Sequence, residues 1–331
     1  MPAIAAHHIP SPLSRRLSIA PMMACTTRDF RYLARLITRH TLLYTEMVVA
    51  QAVIHGDRER LLGHEAAEHP LAVQLGGSDP AQLAEATRIC ADYGYDEINL
   101  NVGCPSDRVQ QGKIGAVLMA EPEQVARCVA AMAAVTDVPI TVKTRIGIDD
   151  QDDYAFLHRF VHHMDAAGCR SLTIHARKAI LDGLSPKENR DIPPLVHERA
   201  YAIKRDFPHL EIILNGGLKD IPNMLAHLGQ VDGLMVGREA YQNPYFLAGV
   251  DHAVFGDAHP IPNQRQIAEA FLPYLERRYA AGTHPRHVLR HALTLFQAVP
   301  GARGYRRHLS RFMNRPEATP AVFEQALDQL R

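Results

Sequence analysis

The chain has 331 residues, 47% of them apolar and 22% charged, and its 36 basic and 36 acidic residues cancel. This balance excludes a disordered or fibrous chain, and no apolar run reaches the roughly 20 residues that span a bilayer, so no membrane partner is expected. Five cysteines, Cys25, Cys90, Cys104, Cys128 and Cys169, lack C-x-x-C spacing, which argues against a disulfide framework or zinc knuckle and for reduced thiols and no bound metal.

In chain order, the segment 1–16 carries Pro and His but no long apolar stretch, so it does not read as a secretory signal and a cytoplasmic location is expected. Short apolar runs then recur at 17–20, 42–47, 71–75, 97–102, 140–143, 171–175, 211–215 and 233–236, each reading as a strand. Between them, 80–93, 122–135, 152–167 and 194–207 set apolar residues at three- and four-residue spacing behind Pro or Asp, the pattern of amphipathic helices. Eight βα units within about 240 residues fit a closed (β/α)8 TIM barrel better than an open doubly wound sheet. The aperiodic stretch 260–264 reads as a linker, and the remainder as about four helices punctuated by Gly282, Pro285, Pro300–Gly301 and Pro316. The expected division is a catalytic barrel over 1–259 and a small helical bundle over 260–331.

In a barrel of this kind chemistry gathers at the C-terminal strand ends. The first strand ends in Pro21-Met22-Met23, the third follows Gln74 with two glycines, the fourth runs through Asn101 to Cys104, and the fifth carries Lys143 and Arg145. The sixth ends in His175-Ala176-Arg177, the seventh in Asn215-Gly216-Gly217 and the eighth in Gly237-Arg238. Polar groups at so many ends need partners or ligands, because a buried polar group left unpaired costs about 1–3 kcal/mol. The glycines after strands seven and eight let backbone N–H groups approach a phosphate, and Arg238 could add a charged contact, so a phosphorylated ligand is expected there. Cys104 alone fits either a space-filling buried thiol or a reactive group at the mouth. Lys143 fits a Schiff-base lysine, a general acid or base, a counter-charge to an anionic ring, or an interior lysine paired with a carboxylate.

The ordered set of Ala20-Pro21-Met22, Ile54-His55-Gly56-Asp57, Val73-Gln74-Leu75-Gly76-Gly77, Asn99-Leu100-Asn101-Val102-Gly103-Cys104-Pro105-Ser106, Val142-Lys143, Asn215-Gly216-Gly217 and Gly237-Arg238-Glu239-Ala240-Tyr241 resembles the flavin-dependent tRNA-dihydrouridine synthases. His175-Ala176-Arg177-Lys178-Ala179 and Ser185-Pro186-Lys187-Glu188-Asn189-Arg190 point within that family to the A type, which acts on D-loop positions twenty and twenty-a. The resemblance implies FMN in the mouth, lined by Pro21, Met22 and Met23, addressed at its polar edge by Gln74 and Lys143 with His175 nearby, and held at its phosphate by Asn215, Gly216, Gly217, Gly237 and Arg238. It also implies transient NADPH as reductant, hydride delivery to C6 of a flipped uridine, and Cys104 as the acid that protonates C5, with Asn101 orienting the uracil. A thiol of ordinary pKa, about 8.5, carries the required proton at neutral pH. Members of the subgroup often continue A-P-M with Leu-Asp-Trp-Thr-Asp, where this chain has Met23-Ala24-Cys25-Thr26-Thr27 and contains no Trp.

From Arg277 to Pro316 there are nine arginines and no Asp or Glu. Arg303, Arg307 and Arg311 recur at four-residue spacing and would share a helix face beside Arg306, a track for phosphates. Arg145, Arg177, Lys187, Arg190, Arg303 and Arg306 are the expected tRNA contacts, and no obligate protein partner is inferred. Three other readings remain open at this stage: a small-molecule flavoprotein resembling dihydroorotate dehydrogenase, a lyase or aldolase using Lys143, and an RNA-binding protein on a barrel scaffold.

Overall fold

A computed structural model describes residues 13–106 and 112–330, so most of the 1–16 segment lies outside the described residues. Eight parallel strands form one sheet: β1 (Leu17–Ile19), β2 (Leu43–Val49), β3 (Leu71–Gly76), β4 (Glu97–Val102), β5 (Ile140–Arg145), β6 (Ser171–His175), β7 (Glu211–Asn215) and β8 (Gly233–Val236). Their order, β1-β8-β7-β6-β5-β4-β3-β2, runs once around, and a parallel bridge between Ser18 and Leu42 joins the two ends into a barrel. The TIM-barrel reading of the sequence is therefore met strand for strand. β5 runs past its expected end to take in Arg145, which pairs in register with His175 of β6.

The helices begin where capping chemistry allows. Asp79, Asp153 and Asp220 accept hydrogen bonds from Gln82, Phe156 and Asn223 respectively, satisfying orphan N–H groups of the first turn, and Pro80 and Pro122 occupy first-turn positions. The helix expected from Pro194 starts only at His197, because Val196 N–H bonds to Ala176 O at 2.8 Å and keeps that stretch extended against the end of β6.

β4 is buried along its whole length. Ile98, Leu100 and Val102 join the large core that also contains the apolar faces of the surrounding helices, while a smaller cluster, Ala20, Leu42, Tyr44, Ala72, Ile213 and Met235, fills the barrel axis. Alternation then turns Glu97, Asn99 and Asn101 inward, where each must find a polar partner.

Past the barrel come the helices Gln264–Ala280, Pro285–Leu289, Ala302–Phe312 and Ala321–Leu327, and their apolar residues share the large core. They dock on the Arg28–Ile37 helix: Tyr32 stacks on Tyr274 with ring centroids 4.0 Å apart, and Asp29 accepts from Tyr274 OH at 2.8 Å and from Arg278 Nε at 3.0 Å. His291, 1% exposed, bridges Thr27 and Tyr241, so this docking reaches the loop behind β1. Among the described residues no helix is long and apolar enough to cross a membrane.

Candidate active site

Cys104 lies on the turn that leaves β4, half-buried at the C-terminal mouth of the barrel. That turn is pinned. Asn101 Oδ1 accepts from both Gly103 N–H at 3.0 Å and Cys104 N–H at 2.9 Å, and Cys104 O accepts from Ala116 N–H at 2.9 Å. Asn101 Nδ2 donates to Gln74 Oε1 at 2.8 Å, which leaves one Asn101 N–H for any ligand. Cys104 Sγ lies 3.5 Å from Ser106 Oγ.

On the neighbouring strand β5, Lys143 Nζ donates to Asn215 Oδ1 of β7 at 3.1 Å, and Asn215 Nδ2 donates in turn to Met235 O at 2.6 Å. Desolvation, reinforced by the neighbouring Arg145 charge, lowers the Lys143 pKa to about 7, and proximity to Cys104 works the other way. Lys143 is therefore poised between charged and neutral near physiological pH. Burial and the charges of Arg145, Lys143, Arg177 and Arg190 push His175 well below the usual imidazole range, which makes it a neutral group beside several cations.

Gly216 and Gly217 adopt φ of +109° and +79°, and a Cβ on Gly216 would meet His175 Cδ2 at 2.8 Å, so only glycine lets the chain pass there. A Cβ on Gly237 would meet nothing within 4 Å, so its backbone borders open space at the mouth. Arg238 lies at the start of the Arg238–Gln242 helix, and its NH2 binds Asp191 Oδ1 at 2.7 Å, so a phosphate would share this guanidinium with a carboxylate. Gln74, 1% exposed, sits under the mouth, whereas Met23 is 65% exposed and turns to solvent; Pro21 and Met22 are half-buried at the end of β1.

The expected RNA contacts divide. Lys187, Arg190, Arg303 and Arg306 are exposed, although Arg306 NH1 donates to Phe296 O at 3.1 Å. Arg177 is half-buried and donates to Asp191 O and Pro193 O. Arg145 is 4% exposed, and it donates to Gly103 O at 2.8 Å, Lys178 O at 3.0 Å and Asn189 O at 3.2 Å. It thus staples the Cys104 turn to the loops behind β6. Glu97, Asn99 and Thr141, buried below the mouth, were not among the expected site residues; the signal that could have found them is the polar alternate register of β4 and, for Thr141, of β5, which a closed barrel shields from bulk solvent. No group of three or more His, Cys, Asp or Glu among the described residues is placed to hold a metal ion.

The residues present suit a planar ring with a phosphate tail: a poised ammonium, a neutral imidazole with glycine backbone beside it that a phosphate can approach, and a thiol on a fixed turn. A sequence profile of the dihydrouridine synthase (Dus) family matches residues 18–330. A tRNA-dihydrouridine(20/20a) synthase of Vibrio cholerae is 56% identical over 318 residues, covering 96% of this chain and 97% of the relative. The protein of the same name from Pseudomonas aeruginosa is 53% identical over 321 residues, covering 97% of each. Among solved structures, an old yellow enzyme homologue from Zymomonas mobilis superposes with a TM-score of 0.53 at 13% identity, covering 75% of this chain and 90% of its own, a likeness of fold alone. By motif, by profile and by relatives spanning nearly its whole length, the chain belongs to the dihydrouridine synthase family.

Proposed function

We propose that this protein reduces D-loop uridines at positions 20 and 20a of tRNA to dihydrouridine, the reaction its relatives are named for, and that it does so in the cytoplasm with FMN as cofactor and NADPH as reductant. The observation that carries the reading is the thiol of Cys104, held on a doubly bonded turn beside Lys143 of the neighbouring strand, with His175 and Asn215 on the next two strands of the barrel. Bound flavin supplies the hydride. The chain's own residues bind, orient and protonate. Gln74, Lys143 and His175 address the polar edge of the ring; Pro21, Met22 and Met23 lie along its side through backbone atoms; Asn215, Gly216, Gly217, Gly237 and Arg238 hold the phosphate. Cys104 Sγ delivers the proton to uracil C5, and the free N–H of Asn101 meets the uracil edge. Arg145 acts by fixing the turn. Arg177, Lys187, Arg190, Arg303 and Arg306 contact the tRNA backbone, so the barrel over 1–259 does the chemistry and the helices over 260–331 help to seat the RNA. The direct test is anaerobic incubation with FMN, NADPH and an unmodified tRNA transcript, followed by mapping of dihydrouridine. Product at positions 20 and 20a is expected, and a yellow protein that leaves the transcript unchanged would refute the reading.

Lys143 makes flavin binding depend on pH. An anionic edge or phosphate favours the charged lysine, so binding draws a proton onto Lys143 whenever the free protein lacks it. The Lys143 contribution to FMN affinity is therefore level below about 7 and falls by up to about tenfold per pH unit above it. Fluorescence titration of FMN from acid to alkaline pH measures this, and Lys143→Met flattens the profile.

The exposed Arg303 makes a separate prediction. Arg303→Glu is expected to weaken tRNA binding and to lower the slope of log affinity against log salt by about 1 or more, while NADPH oxidation by the RNA-free enzyme is unchanged. An unaltered slope in filter-binding titrations would remove Arg303 from the interface.

A further inference from the structure

A continuous chain of hydrogen bonds runs inside the barrel from a buried ion pair to the Cys104 turn. At its lower end Glu97, fully buried, receives Arg15 Nε at 2.5 Å on Oε2 and Thr141 Oγ1 at 2.6 Å on Oε1. Asn99 Nδ2 donates to Thr141 Oγ1 at 2.8 Å, Gln74 Nε2 to Asn99 Oδ1 at 2.8 Å, and Asn101 Nδ2 to Gln74 Oε1 at 2.8 Å. Asn101 Oδ1 then takes the Gly103 and Cys104 amides.

The polarity of this chain is fixed from both ends. Backbone N–H groups at the top can only donate, and an ionised carboxylate at the bottom can only accept. Each of the three side-chain amides between them has one orientation that satisfies both neighbours, and turning any one over would set donor against donor and acceptor against acceptor among buried groups. Aligned in one direction, the links polarise one another.

We propose that Glu97, acting through Thr141 and Asn99, is the positioning group of this active site: its charge locks the amides of Gln74 and Asn101 and, through Asn101, the placement of the Cys104 thiol. Neither Glu97, Thr141 nor Asn99 reaches the mouth, so their influence is indirect. The inference rests on the uridine-reducing role of Cys104 for its catalytic consequence but not for its geometry, and the two are tested apart.

Thr141→Val removes one hydroxyl at nearly constant volume and cuts the relay, Thr141→Ser keeps it, and Tyr44→Phe removes another donor from Glu97 Oε1 while leaving the relay whole. The first readout needs no cofactor: alkylation of Cys104 by iodoacetamide in the flavin-free full-length protein, followed by peptide mass spectrometry with Cys25 as internal reference. Thr141→Val is expected to raise the Cys104 rate at least fivefold relative to Cys25, with Thr141→Ser and Tyr44→Phe within twofold of wild type. The second is the single-turnover oxidation of reduced holoenzyme by unmodified tRNA transcript, expected to slow at least tenfold in Thr141→Val at unchanged tRNA affinity and to recover in Thr141→Ser. If Thr141→Val does not fold, Asn99→Leu cuts the next link and takes its place. Equal alkylation rates in wild type and the cut variant, or equal losses in Thr141→Val and Tyr44→Phe, would overturn the relay. A wild-type enzyme whose reduced flavin ignores tRNA would instead overturn the functional reading and leave the alkylation result to decide the geometry.

Discussion

Cys104→Ala is expected to bind FMN and accept electrons from NADPH at the wild-type rate, yet to lose tRNA-dependent oxidation of the reduced enzyme by about 10²–10⁴-fold, the usual contribution of a positioned acid. The split follows from the structure. Cys104 contributes its backbone to the turn and its carbonyl to Ala116, both of which alanine retains, so the substitution removes the thiol and little else. Stopped-flow measurement of the two half-reactions separates the outcomes. Equal slowing of both would mean that the thiol supports the flavin site rather than the uracil. Cys25, a second half-buried thiol in the loop that follows β1, has its pKa raised, chiefly by burial, and its removal is expected to leave both half-reactions intact.

The second large effect is on stability. Arg31→Met is expected to cost about 3–5 kcal/mol, because it strands the carboxylate of Glu68 in a buried site. Glu68 is 0% exposed, Arg31 Nε binds its Oε2 at 2.6 Å, and Arg31 NH1 also donates to Thr26 O at 3.0 Å. The same guanidinium therefore ties the Arg28–Ile37 helix, the segment before β3 and the loop that follows Met22. Urea unfolding measures the loss, with Glu59→Gln as the contrast: its pairing with Arg28 is at 3.3 Å with Glu59 73% exposed, and breaking it should cost less than about 1 kcal/mol. Similar losses from the two variants would contradict the assignment of burial as the deciding factor.

The barrel was legible in the sequence because a parallel closed sheet buries both faces of each strand, producing eight short apolar runs whose ends punctuation residues mark. The mouth was legible for the same reason: Lys143 and His175 end two of those runs, and Cys104 and the paired glycines fall just past two others. Less visible was how side chains at the ends use their groups. Arg145 reads in sequence as a tRNA contact at the end of a strand, yet strand pairing with His175 carries it inward, where burial and like charges lower its pKa to about 10 and three carbonyls accept its hydrogen bonds. Arg238 similarly meets Asp191, whose approach depends on a loop conformation that local pattern does not encode. Glu97, Asn99 and Thr141 are masked in the sequence by the apolar registers of β4 and β5 that alternate with them. In a barrel their register faces an interior shielded from bulk solvent, and polar residues there must form a network.

The barrel closes between β1 and β2 on little more than the Ser18–Leu42 bridge, with Ile19 N–H to Leu42 O at 2.9 Å and Leu42 N–H to Leu17 O at 3.0 Å. Elsewhere the strands share longer ladders. Amide protons at this seam should consequently exchange with solvent before those of β3 to β7, because local opening there breaks few bonds. The wall carrying Pro21 and Met22 would then be the compliant side of a rigid cup, held in place mainly by the helix and ion pair behind it.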